Sequence, residues 1–119
     1  MSVWHVEGGN RLTGSVTVQG AKNAVLPIMA ASVLAPGETE LLNVPELRDV
    51  DTTIRILRGL GCSVEREGDA VYIDSRAMAA CEIPHRLMRE LRSSVIFLGA
   101  LLARCGREKI GFMGEFTLL

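Results

Sequence analysis

Apolar and polar residues alternate at residues 15–18, with Val16 and Val18 on one side, so the pattern predicts a strand. Gly20 breaks it, and residues 21–34, rich in Ala, Leu, Ile and Met, then predict a helix. Pro27 falls inside that helix. It removes a backbone donor and crowds the preceding turn, so it belongs in the first turn or two or at a kink. Pro36-Gly37 closes the segment. Residues 38–44 set Glu38, Glu40 and Asn43 against Leu41, Leu42 and Val44 and predict a second strand. A helix follows over residues 51–60, with Asp51 as its cap, Ile54 and Leu57 on one side and Gly61 as its stop.

Residues 62–65 and 70–74 flank the polar turn Gly68-Asp69 and predict a hairpin. The order to this point is strand, helix, strand, helix, strand, strand. Pro84 opens a longer helical stretch over residues 85–103, where Leu87, Leu91, Val95, Leu98 and Leu102 recur at helical spacing. Gly106 ends it, and residues 109–112 form a further strand candidate. The second stretch reads as the start of another unit of the same kind.

Composition narrows the class. At 119 residues, 48% hydrophobic and 23% charged, the chain fits one small globular domain. A chain of this size buries roughly two-thirds of its unfolded surface, which leaves a core with little margin. The net charge of −1 offers no electrostatic footprint for nucleic acid. Residues 95–103, the longest apolar run, fall well short of the ~20 residues that span a bilayer. The first residues lack the basic start and apolar run of a signal peptide. Cys62, Cys81 and Cys105 are odd in number and show no CxxC spacing, which favours reduced thiols over a zinc knuckle or a disulfide framework. The expectation is a cytoplasmic protein with no membrane or nucleic-acid partner, no metal site and no cofactor.

Three groups carry candidate chemistry. Gly20-Ala21-Lys22-Asn23 joins a predicted strand to a predicted helix. Unpaired N–H groups, the positive end of the helix and an ammonium converge there, a combination suited to a small phosphorylated acid. Taken alone, the tetrapeptide fits a solvated surface lysine better. Arg86, Arg89 and Arg92 share a helix side, and guanidinium groups grip phosphate or carboxylate with a planar fork. Arg86 and Arg89 read as a solvated face, whereas Arg92 stands where the helix turns inward. In Glu46 to Asp51 the carboxylates suit acid–base work or magnesium, but a capping Asp51 and a loop-solvating Asp49 explain them more simply. His5 and His85 have no partner pattern, and the glycines form neither GxGxxG nor a Walker motif.

Several short segments, read together, are specific. Leu12-Thr13-Gly14, Gly20-Ala21-Lys22-Asn23-Ala24, Leu26-Pro27, Asn43-Val44-Pro45, Asp49-Val50-Asp51-Thr52 and Leu91-Arg92-Ser93-Ser94 occur in one order with characteristic spacing. In this the chain resembles the UDP-N-acetylglucosamine 1-carboxyvinyltransferase family over about residues 3–111. The resemblance implies an α/β fold, the enolpyruvyl transferase inside-out α/β barrel, of which this chain would hold about one and a half βαβαββ units. It implies that residues 1–21 pack with a domain formed by a distant C-terminal part, while residues 22–119 form part of the other domain.

The implied chemistry is transfer of enolpyruvate from phosphoenolpyruvate to the 3-hydroxyl of UDP-N-acetylglucosamine, by addition and elimination with release of phosphate, at the start of peptidoglycan synthesis. By position, Lys22 and Asn23 would contact phosphoenolpyruvate and Arg92 would hold the nucleotide sugar. The family's mobile loop usually carries two glycines followed by a cysteine. Here Glu115 replaces a glycine and Phe116 stands at the cysteine position, where it has no acid or nucleophile to offer. The expectation is therefore a truncated fragment, inactive alone. A non-catalytic nucleotide-sugar-binding remnant is one alternative. A 3-phosphoshikimate enolpyruvyl transferase is another, disfavoured because its early motif resembles Gly-Ser-Lys-Ser.

Overall fold

The structure is a computed structural model that describes residues 2–91, 95–110 and 114–117. Helix α1 spans Lys22–Ala31, strand β1 Glu38–Leu41 and helix α2 Arg48–Gly59. Strands β2 (Ser63–Glu67) and β3 (Ala70–Asp74) follow, then helices α3 (His85–Glu90) and α4 (Ile96–Cys105), and strands β4 (Arg107–Ile110) and β5 (Gly114–Thr117).

The first three strands form an antiparallel sheet in the order β1-β3-β2. Tyr72 lies between Glu40 on one side and Glu65 on the other. Period-two alternation sends Val64, Val71 and Ile73 inward and leaves Glu40, Glu65 and Tyr72 outside. The predicted hairpin is present: β2 and β3 meet at Gly68, whose φ of +59° is the left-handed conformation a tight turn needs.

The helices supply the other half of the core. Val25, Leu26, Met29 and Ala30 recur at helical spacing and bury one side of α1. They meet Ile54 and Leu57 from α2, and Phe97 and Leu101 from α4. Pro27 stays inside α1 without ending it. With no N–H at residue 27, the Asn23 carbonyl loses its i+4 donor. At the far end of α4, Gly106 adopts φ +76° and its N–H bonds the Leu102 carbonyl, so the expected glycine stop is correct.

Four expectations need correction. Residues 15–18 join no strand among the described residues: no other segment pairs with them in a ladder. Val16 and Val18 there, and Trp4 and Leu12 before them, stand 82–92% exposed. The trailing segment also lifts the radius of gyration to 17.3 Å, against ~13.5 Å for a compact chain of this length. Secondly, Leu47, not Asp51, is the N-cap of α2, and Asp51 lies exposed in its first turn. Thirdly, the helix expected over residues 85–103 is two helices. Leu91 leaves helical geometry at φ −116°, ψ 103°, so it caps α3 and its side chain turns into the core. Lastly, Cys81 and Cys105 are joined as a disulfide, their Cα atoms 6.2 Å apart. Spacing along the chain held no sign of this, because the fold brings together residues 24 positions apart.

Candidate functional site

The start of α1 is fixed from below. Gly20 lies against the loop at residues 43–45, where a Cβ on residue 20 would collide with the Asn43 carbonyl oxygen and touch Pro45. Asn43 itself takes φ +56°, a conformation asparagine tolerates better than most residues. Val44 N–H bonds the Asp69 carbonyl at 2.8 Å, and the Arg66 guanidinium donates to the Val44 carbonyl at 3.0 Å. The loop is thus tied to the β2–β3 hairpin. Nothing in the local sequence around Arg66 marked it for this role, which depends on a carbonyl 22 residues away.

Above the loop, Ala21 is the N-cap of α1, with extended dihedrals and no capping side chain. Its carbonyl accepts from the Ala24 and Val25 amides, so the amides of Lys22 and Asn23 are the ones left without intrahelical acceptors. No acidic residue occupies the first turn to compete for them. The helix begins at Lys22, as the motif predicts, and Asn23 is exposed beside it.

The Lys22 ammonium reaches across to the first turn of α2 and sits 2.5 Å from the Asp49 carboxylate. Two helix N-termini therefore meet around this pair. Lys22 is half exposed and Asp49 about a quarter exposed, so solvent screening limits what the pair contributes to stability. An ammonium has three donors, and one carboxylate contact leaves others for an incoming anion. Asp49 is held by its own helix, where Thr53 Oγ1 donates to the Asp49 carbonyl at 2.7 Å. The loop-solvating role expected for Asp49 is corrected here: its carboxylate faces a lysine from another helix, a placement that short-range sequence signals do not carry.

The arginine group divides. Arg86 and Arg89 are exposed on α3, in keeping with a solvated face. Arg92 lies outside the described residues, one position beyond the buried Leu91. Phe116, the residue at the loop-cysteine position, falls in β5, which pairs with β4 so that Phe116 stands opposite Glu108. His5 and His85 are both exposed.

Strong local electrostatics occur away from this site. Asp74, the last residue of the central strand β3, accepts hydrogen bonds from the Arg76 guanidinium and backbone N–H, which hold its carboxyl down at about 2. Glu40 and Glu67 surround Tyr72 with negative charge, and Glu40 is the main reason the phenol is pushed above its ordinary value. These groups line the solvent face of the sheet.

The described unit is thus an antiparallel sheet over packed helices, with a lysine at the first helix's mouth. The family model for EPSP synthase (3-phosphoshikimate 1-carboxyvinyltransferase) matches residues 6–118, and the chain belongs to that family. Within it, the chain is 46% identical over 109 residues to the UDP-N-acetylglucosamine 1-carboxyvinyltransferase of Geobacter metallireducens, covering 92% of this chain and 26% of that protein. It is 45% identical over 114 residues to UDP-N-acetylglucosamine 1-carboxyvinyltransferase 2 of Caldanaerobacter subterraneus, covering 96% and 27%. The crystal structure of the enolpyruvyl transferase NikO from Streptomyces tendae superposes with a TM-score of 0.77 at 28% identity, over 85% of this chain and 24% of NikO. The chain thus spans about a quarter of the length of the curated relatives it matches.

Proposed function

We propose that this chain is the phosphoenolpyruvate-facing unit of an enzyme that transfers enolpyruvate to the 3-hydroxyl of UDP-N-acetylglucosamine in the cytoplasm, for peptidoglycan synthesis. The observation that carries the proposal is Lys22 at the first position of α1, beside two amides without helical acceptors and facing a second helix N-terminus. Phosphoenolpyruvate brings a phosphate and a carboxylate. The ammonium and the helix amides supply the charge and donors that such a group needs.

In this reading Asn23 adds an amide beside Lys22 and Asp49 aims the ammonium. Arg92, just after Leu91, supplies the nucleotide-sugar contact. As the substrate hydroxyl adds to phosphoenolpyruvate and phosphate then leaves, fixed positive charge stabilises the developing and departing negative charge. Residues 1–21 belong to a second domain contributed by another part of the enzyme. Their exposed apolar side chains support this, because an isolated extended segment gains nothing by displaying them.

Phosphate release separates the outcomes. The 119-residue chain is assayed with phosphoenolpyruvate and UDP-N-acetylglucosamine, alone and mixed with the remaining segment of the Geobacter metallireducens relative. No turnover alone and turnover in the mixture, abolished by Lys22→Ala, supports the reading. Turnover by the chain alone, or a mixture indifferent to Lys22→Ala, refutes it.

A further inference from the structure

We propose that Cys81 and Cys105 form a thiol–disulfide modification site, a reversible clamp that a small-molecule disulfide closes and a thiol reopens. Hydrogen bonds other than the sulfur–sulfur link hold the backbone beside both residues. The segment before Cys81 is pinned by the Ala79 and Ala80 amides, which both donate to the Leu60 carbonyl at 3.1 Å. The residue before Cys105 is pinned as well. Arg104 donates to the Ser75 carbonyl at 3.0 Å and to the Val33 carbonyl at 3.2 Å. Ser75 is in turn anchored, its N–H on the Gly37 carbonyl at 2.9 Å and its hydroxyl on the Ala35 carbonyl at 3.0 Å. The Met78 N–H also donates to the Ser75 carbonyl, at 3.3 Å, which joins the two anchors into one hydrogen-bonded frame, with the cysteines at a Cα separation suited to a disulfide.

Access supports reaction at this pair and not at the third thiol. Cys81 and Cys105 are each partly exposed, whereas Cys62 is buried and its burial pushes the thiol above its ordinary value. The chemistry balances with glutathione disulfide as oxidant. One cysteine thiolate attacks it, forming a mixed disulfide and releasing one glutathione thiolate. The second cysteine thiolate attacks the protein-side sulfur and releases the other. Two electrons pass from the protein to the oxidant, and the two protein thiol protons end on the two glutathiones.

The clamp acts at one joint. Cys105 is the last residue of α4, and Gly106, in the left-handed conformation, turns the chain into β4. Closing the bond fixes the helix end from which the β4–β5 hairpin departs. This inference rests on the disulfide geometry and its frame, not on the proposed transferase activity.

The chain is equilibrated in glutathione buffers, native and in concentrated guanidinium, then alkylated and peptide-mapped. Cys62→Ser serves as a second variant without the bystander thiol. The expected result is an 81–105 link whose equilibrium constant is at least about tenfold larger in the native chain, as a fold-supported disulfide requires. Slower amide exchange in the last turn of α4 should accompany it. A ratio below that, glutathione retained on Cys81 or Cys105 in place of the link, or unchanged exchange in α4 overturns the proposal.

Discussion

Lys22 and Asp49, 27 residues apart, place an ammonium and a carboxylate 2.5 Å from each other across the N-termini of two helices. Because Lys22 is half exposed, the contact orients the ammonium more than it secures the fold. Asp49→Asn should lower stability by no more than about 1 kcal/mol in urea denaturation. Lys22→Gln removes the charge an anion would meet, and should weaken phosphoenolpyruvate binding by roughly tenfold or more, read by calorimetry on the complemented enzyme. A Lys22→Gln protein that binds as well as the parent would contradict the anion role.

Gly20 is where the loop at residues 43–45 comes closest to the start of α1. The obstacle to a side chain is a backbone carbonyl, which has no rotamer to move. Gly20→Ala should cost about 1–3 kcal/mol, measured as a lower urea midpoint at unchanged m-value. It should also shift the amide resonances of Lys22 and Asn23.

Arg66 ties that same loop to the hairpin through the Val44 carbonyl. Arg66→Met keeps much of the aliphatic stem and removes the donors. A loss of roughly 1–3 kcal/mol is expected, because the group left behind is a partly buried acceptor. Amide exchange at residues 43–45 should rise with it.

Asp74 carries the clearest pH signature. Its folded value of about 2 is below the ordinary carboxylate value of 3.8, so its ionised form favours the folded chain. The contribution is complete above the unfolded value and disappears as pH falls from about 4 through about 2. Carboxyl NMR titration should show the low midpoint directly. Arg76→Ala should return it toward 3.8, since Arg76 is the leading cause of the depression.

How much of this was legible in the sequence follows from which interactions are local. The β2–β3 hairpin and the glycine stop after α4 rest on neighbours within a few positions, and each was readable; the start of α1 was readable from the Gly20-Ala21-Lys22-Asn23 motif, although a distant loop packs beneath it. The strand expected at residues 15–18 had the right alternation, but a strand exists only when another chain segment accepts its hydrogen bonds. Residues 85–103 have continuous helical periodicity, yet Leu91 leaves the helix to fill the core. Local periodicity does not report that exchange. At the site, the motif picked out Lys22 and Asn23, while Asp49 and Arg66 act on partners from other elements. The Cys81–Cys105 link belongs to the same class of long-range facts.

The exposed segment at residues 2–19 has a practical consequence. It contains Trp4, the sole tryptophan of the chain, with 88% of its surface open to water. Indole fluorescence from this protein therefore reports on that segment and says little about the helices. Red-shifted emission marks the uncovered state, and a blue shift on adding another polypeptide gives a label-free titration of whatever covers it. The same optical probe would be nearly blind to unfolding of the core.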